Sequence, residues 1–411
     1  MGIKSIAQDF KSMPHNVKIC VYVMPLWAVP YNLVNSYASL YMLEQGVSAT
    51  QVGAVNSISF IAKTIFALFA GYIVNRFGRR KSAAVLDFIG WAFPMLIYFF
   101  ATTYWQFLLA AVINCLTVIN GIISQCFFTE DVEEKARLKS FNFNAIATSV
   151  CGFFVPLTGL FISRFGFLPA IRGLYLFAFF SMAAMAVCKF FLLRETSVGK
   201  AMMERREPLR NPVSILMKPL RYVVGNRRLV FLFSVNILIN FATNINNLYF
   251  FPFLTGSLGF SDSFVSLFPF ITTAISLLLY LSLVTLIRRM AKSALFAIGM
   301  YLSGAAALIA SFYWDRYLAL LCVVCWAVAG AVSAPVLSTL IANTIDDSMR
   351  TDVLGVFNVF SMLCMFPAGY FGGWLYEFSP LYPIFFIFAV YLLGFSAFLL
   401  LGRKFLRGPE A

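Results

Sequence analysis

Twelve apolar runs, each long enough to cross a hydrocarbon layer, leave this chain few ways to fold. They lie near 17–42, 51–75, 82–101, 103–128, 140–163, 168–193, 229–254, 263–287, 293–313, 316–343, 352–376 and 380–402. A bilayer core takes about twenty apolar residues per helix, and within it every backbone N–H and C=O must be satisfied inside the segment. Helices meet that demand, and short loops force consecutive helices to lie side by side. Composition points the same way: of 411 residues 61% are hydrophobic and only 12% charged. A soluble chain of this length needs far more charge to stay dissolved. The expected fold class is an all-α integral membrane protein with twelve transmembrane helices.

The formal net charge of +14 would suit a nucleic-acid partner if it formed a patch. It does not. The cations fall in short clusters between apolar runs: Arg76–Lys81, Lys135–Lys139, Arg194–Arg228, Arg288–Lys292 and Arg403–Arg407. Lys and Arg resist translocation, so such loops mark the cytoplasmic side, with some attraction to anionic lipid headgroups. Alternate loops are basic, which sets both termini in the cytoplasm. No nucleic-acid partner is expected; membrane lipids are.

The longest polar stretch divides the runs six and six. Expected domains are therefore a six-helix bundle over 1–194, a cytoplasmic linker over 195–228 with an amphipathic helix at the membrane interface, and a second bundle over 229–411. Weak internal symmetry supports related halves: Glu130 precedes Arg137 by the spacing that separates Asn343 from Arg350, and Gly159 precedes Pro169 as Gly373 precedes Pro383. The eight cysteines all lie in apolar stretches. Cys322 and Cys325 form a CxxC inside a span without His or carboxylate neighbours, which reads as buried thiols rather than redox or zinc chemistry. No metal and no cofactor are expected. The first run is too long for a cleavable signal peptide.

Between the second and third runs the chain reads GYIVNRFGRRK, Gly71 to Lys81. This resembles the signature loop of the major facilitator superfamily, G-x-x-x-D-R-x-G-R-R-K, with Asn75 where the family has Asp. The stretch Thr129 to Asn142, TEDVEEKARLKSFN, resembles the acidic-then-Arg segment ending the fourth helix of drug-efflux-like bacterial members. The resemblance implies two six-helix bundles that open a cavity alternately to each side. It assigns a conformational switch to Gly71, Asn75, Arg76, Gly78, Arg79 and Arg80. Gly71 would let the second helix approach the eleventh, and Gly78 permits the tight reversal. The family Asp caps the eleventh helix; Asn75 can still accept a hydrogen bond there but cannot form an ion pair. Asp87 is the expected substitute charge, paired with Arg76 or Arg80.

Polar residues in spanning helices face the bundle interior, because lipid cannot satisfy them. The seventh run carries Asn236, Asn240, Asn244 and Asn247 on one helical face. The first carries Asn32 and Asn35, and the fourth carries Asn114 and Asn120. These residues are expected to bind substrate, with hydrogen-bonded glue between helices as the competing role. Trp27, Tyr31, Tyr249 and Phe250 flank the stripes and offer flat apolar surface. Lys63 lies twelve residues before Asn75, roughly 18 Å along the helix and near mid-membrane. A charge there costs about 2.5–3.5 kcal/mol on insertion scales, which favours a role toward an anionic substrate or in coupling. No Asp or Glu is expected at mid-depth, so proton antiport of cationic drugs is poorly supported.

The expected activity is secondary transport of a small neutral or anionic organic solute across the bacterial inner membrane, export slightly favoured, by a monomer coupled to a proton or ion not yet defined. Uptake of an organic anion through Lys63, lipid or glycolipid flipping, and a non-transporting receptor are the alternatives. An enzyme is not expected: no nucleophile–base pair, metal-ligand spacing or phosphate-cradling loop stands out.

Overall fold

The computed structural model describes residues 10, 12–205, 212–289, 301, 305, 315–345 and 350–405. Helix is the only regular structure among them. Nine helices among the described residues are long and apolar enough to cross a membrane, and shorter apolar helices cover Arg316–Ala331 and Tyr382–Gly394. Apart from residues 301 and 305, the expected run at 293–313 lies outside the described residues; each of the others falls on a described helix.

The chain packs as two units. The first comprises Met1–Gly46 with Ile61–Leu209, the second Val47–Phe60 with Arg210–Ala411. The second helix is thus shared: its opening turns group with the later half of the chain.

In the first unit, helix α1 (His15–Asn35) is followed by a short α2 (Ala38–Glu44) rather than running unbroken to residue 42. The Thr158 hydroxyl donates to the Leu33 carbonyl at 2.8 Å, and the Tyr37 N–H turns to Val34 instead, at 3.1 Å. A side chain has taken the acceptor that the next helical turn would use. Helix α3 (Ala49–Phe77) leads into α4 (Arg79–Asp87), a π-helical turn at Phe88–Ala92, and α5 (Phe93–Phe100). Pro94 explains part of this irregularity: it has no N–H to offer the Gly90 carbonyl one turn back. Next come α6 (Tyr104–Asn114), α7 (Thr117–Thr129), α8 (Glu134–Gly152), α9 (Pro156–Phe165), α10 (Phe167–Leu192) and α11 (Ser197–Arg205). Apolar side chains of α1, α3, α4 and α7, among them Val17, Val74, Ala83, Ile119 and Phe127, close the core at the end that carries the Arg76–Lys81 loop.

In the second unit, α12 (Pro212–Gly225) turns at Asn226 into α13 (Arg227–Pro252). Asn226 caps α13, its side chain accepting from the backbone of Arg228 and Leu229. The polar stretch between the halves therefore holds two helices, α11 and α12, where one was expected. After a π-helical turn at Phe253–Ser257 come α14 (Asp262–Val265), α15 (Leu267–Arg289), α16 (Arg316–Thr344), α17 (Arg350–Phe378) and α18 (Tyr382–Phe405). Phe250, Phe253, Leu254, Val265, Phe268 and Cys322 form its core. Within this unit the start of α3 meets α17 at bare backbone: a Cβ on Gly53 would overlap the Gly369 carbonyl, and one on Gly373 would overlap Ala49. Small residues permit such approach between membrane helices. The Tyr249 hydroxyl donates to the carbonyls of Ala49 and Gly369, at 3.1 and 3.0 Å.

Candidate functional site

The reversal between α3 and α4 turns on Gly78, whose φ of +81° suits glycine. The first N–H groups of α4 have no helical acceptor. Glu195, just past α10, supplies one: its carboxylate accepts from the backbone of Arg79 at 2.8 Å and of Arg80 at 3.0 Å. Anionic caps suit a helix N-terminus because the backbone dipoles point their positive ends there.

The Arg79 side chain is only 5% exposed. Its guanidinium forks onto Glu130 at 3.2 and 3.0 Å and reaches Asn75 Oδ1 at 3.1 Å. Bidentate Arg–carboxylate pairing fixes geometry as well as charge. Glu130 also accepts from the Thr196 hydroxyl at 2.5 Å, and Thr196 in turn accepts from the Gly199 backbone at 2.9 Å. Asp131, at φ +54°, caps α11 by accepting from the Ser197 backbone at 3.0 Å and from its hydroxyl. One network thus ties the ends of α3, α4, α7 and α11 together.

One expectation about this loop is corrected. Asp87 does not pair with Arg76 or Arg80. It is buried among the helices, bonded to Lys189 Nζ at 2.6 Å and to Asn120 Nδ2 at 2.9 Å. Arg76 is exposed, and the Arg80 guanidinium donates to the Phe190 carbonyl at 2.9 and 2.7 Å. Geometry decides this: Asp87 lies two helical turns in from the loop, on the face toward α7 and α10. Its carboxylate is buried near the inner end of the third spanning helix. Gly71 is exposed, and a Cβ there would meet nothing within 4 Å among the described residues.

The asparagine stripes divide. Asn114 Nδ2 donates to Gly90 O at 2.8 Å, filling the acceptor that Pro94 left open. Asn120 is buried against Asp87, with its own Oδ1 lacking a partner among the described residues. On α13, Asn240 and Asn247 are exposed, while Asn236 and Asn244 are half-buried. Asn240 donates to the Asn236 carbonyl at 2.9 Å and to its Oδ1 at 2.6 Å, a bond along one helix. Asn32 is half-buried and Asn35 exposed on α1, and Lys63 is half-buried on α3.

Sequence reasoning missed Lys189, Glu195, Thr196, Asp131 and Asn246. A Lys inside an apolar run was a signal for the first. A Thr followed by Ser before a short helical stretch was a signal for the cap. Trp91 was also missed; its ring packs on Trp27 and Tyr31, with centroids 5.1 and 5.4 Å apart.

Comparison with known proteins gives a family. A profile described as Major Facilitator Superfamily matches residues 28–369. An uncharacterized MFS-type transporter of Bacillus subtilis (strain 168), YqjV, is 29% identical over 119 residues, which is 28% of this chain and 28% of that protein. The chain thus matches only about a quarter of that relative's length. The crystal structure of nucleoside transporter NupG superposes with a TM-score of 0.71 at 16% identity, covering 96% of this chain and 98% of that one. The human organic anion transporter MFSD10 (TETRAN) gives 0.62 at 16%, covering 93% and 99%.

Proposed function

The chain belongs to the Major Facilitator Superfamily, and on that premise we propose that it carries a small neutral or anionic organic solute across a bacterial plasma membrane by alternating access, with export slightly favoured. It is a multi-pass membrane transporter rather than an enzyme. The reading places both termini and the Arg76–Lys81 loop in the cytoplasm, divides the chain into bundles at 1–194 and 229–411, and takes the working unit as a monomer.

The observation that carries the reading is the α13 stripe. Asn240 and Asn247 are exposed on a mostly apolar helix, and Asn244, on the same face, keeps a buried side-chain oxygen without a partner among the described residues. Unsatisfied polar groups facing hydrocarbon cost several kcal/mol each, so such a face belongs on a wet path. In the first unit, α1 by itself carries the half-buried Asn32 and the exposed Asn35. Gly78, Arg79, Glu130 and Glu195 form the clasp that must rearrange when helices of the first unit shift.

The test is direct. Purified protein is screened by thermal shift against sugars, nucleosides, organic acids and lipids at two pH values, since a ligand of the folded form raises its apparent stability. Hits then go to flux in proteoliposomes. Solute flux lost in Asn240→Ala without loss of folding supports the reading. Flipping of labelled lipid without solute flux replaces it with the lipid alternative, and binding without flux replaces it with a receptor.

A second reading, uptake of an organic anion, is favoured by Lys63 alone. Lys63→Gln should abolish anion flux and spare a neutral substrate.

A further inference from the structure

Two irregular helices converge on one point of the first unit. In the third spanning helix the π-helical turn Phe88–Ala92 interrupts α4 and α5. Such turns are rare and gather at functional sites. This one is held in place from the fourth helix. Asn114 Nδ2 donates to the Gly90 carbonyl at 2.8 Å, and a Cβ on Gly90 would lie 3.1 Å from Thr117 Cγ2, so the two helices touch. The product of this construction is the position of Trp91.

Trp91 meets Trp27 edge-on at 5.1 Å and Tyr31 edge-on at 5.4 Å, while Trp27 and Tyr31 stack at 5.1 Å with 15° between their planes. The rings are in mutual contact, so they make a continuous wall and not an open box around a cation. All three side chains remain partly exposed. Trp27, Tyr31 and Asn35 recur every four residues, so a polar, exposed amide stands one turn from the rings on the same face. The Trp27 indole nitrogen is buried and has no acceptor among the described residues, which costs free energy until an acceptor arrives. Trp27 lies twelve residues from His15, and Trp91 twelve from Arg79. Both are roughly 18 Å from the helix ends nearest the basic loop, the depth at which Lys63 lies.

We propose that Trp27, Tyr31 and Trp91 form a platform on which a flat aromatic or heteroaromatic ring of the transported solute stacks. The inference rests on the transport reading above and narrows its substrate class to neutral or anionic solutes carrying such a ring. Stacking on an exposed ring face needs no fixed hydrogen bonds, and a ring acceptor would satisfy the Trp27 N–H after a small turn of the indole.

The experiment uses the full chain in nanodiscs and follows tryptophan fluorescence and thermal shift. The probes are benzoate, indole-3-acetate and uridine, against cyclohexanecarboxylate and xylose. At least one aromatic probe should quench fluorescence saturably and raise the melting temperature, and cyclohexanecarboxylate should do neither. Trp27→Leu and Trp91→Leu should each weaken that binding about tenfold, since one stacked ring contributes on the scale of a tenfold affinity change. Trp27→Phe should retain most of it, which guards against a folding artefact. Equal binding of benzoate and cyclohexanecarboxylate overturns the platform, as does unchanged affinity in both Leu variants or no response to any aromatic probe. The two readings fail separately: flux of xylose alone sinks the platform and keeps the transporter, whereas aromatic binding without flux keeps the platform and sinks the transporter.

Discussion

The asparagines of α6 and α7 and those of α13 have the same chemistry, yet they sit in opposite circumstances. Asn114 and Asn120 donate across to a neighbouring helix, one to a carbonyl and one to a carboxylate. Among the described residues Asn240 bonds within its own helix, and Asn247 is exposed. What differs is the neighbour. Helix α5 begins with a proline that strands the Gly90 carbonyl, and α4 ends with a buried Asp87. Both are acceptors in want of a donor. The helices packed on α13 put Phe357 against it, stacked on Phe233 at 4.0 Å, and rings ask for no amide. An asparagine in a membrane helix becomes glue or lining according to what faces it.

Four substitutions sharpen or break this contrast, from the largest expected effect to the smallest. Asp87→Asn leaves the Lys189 ammonium buried without its counter-ion, and breaking one side of a buried pair costs about 3–5 kcal/mol. The melting temperature in detergent should fall sharply and recover in Asp87→Asn with Lys189→Met. A single variant as stable as the parent would mean that Asn120 is not clamped by an ion pair. Gly78→Ala forces a side chain into a glycine conformation, costing about 1–3 kcal/mol. Its Cβ would also press on Glu195 Oε2, at 2.6 Å. Loss of the α4 cap should appear as faster hydrogen exchange at Arg79 and Arg80. Asn114→Leu removes one interhelical bond, worth about 0.6–1.7 kcal/mol in membrane proteins, and thermal unfolding should register it. Asn240→Ala should change stability by no more than about 0.5 kcal/mol while reducing flux in proteoliposomes. A stability loss at Asn240 equal to that at Asn114 would erase the distinction between the stripes.

Asn75 shows how a departure from the family loop is absorbed. The Arg79 charge is already balanced by Glu130, and Glu195 stands beside it as the α4 cap. An amide at position 75 completes the guanidinium's contacts without adding a further carboxylate to a crowded corner. The partner of Arg79 could not be read from the loop itself, because Glu130 lies 51 residues away. The same holds for Asp87. Local spacing put basic residues nearest in sequence, while helix packing put Lys189 of α10 nearest in space.

The chain alone determined its class, because hydropathy runs of membrane length leave helices as the only spanning solution. It also determined the family loop and the polar stripes, which are local patterns. Only the tertiary structure decided which stripe is spent on neighbours and which stays open, where Asp87 finds its cation, and that Trp91 joins Trp27 and Tyr31. Those outcomes depend on which helix stands opposite, and on acceptors freed by a proline or a broken turn. Helical period fixes the face a residue is on; it carries no record of what that face will meet.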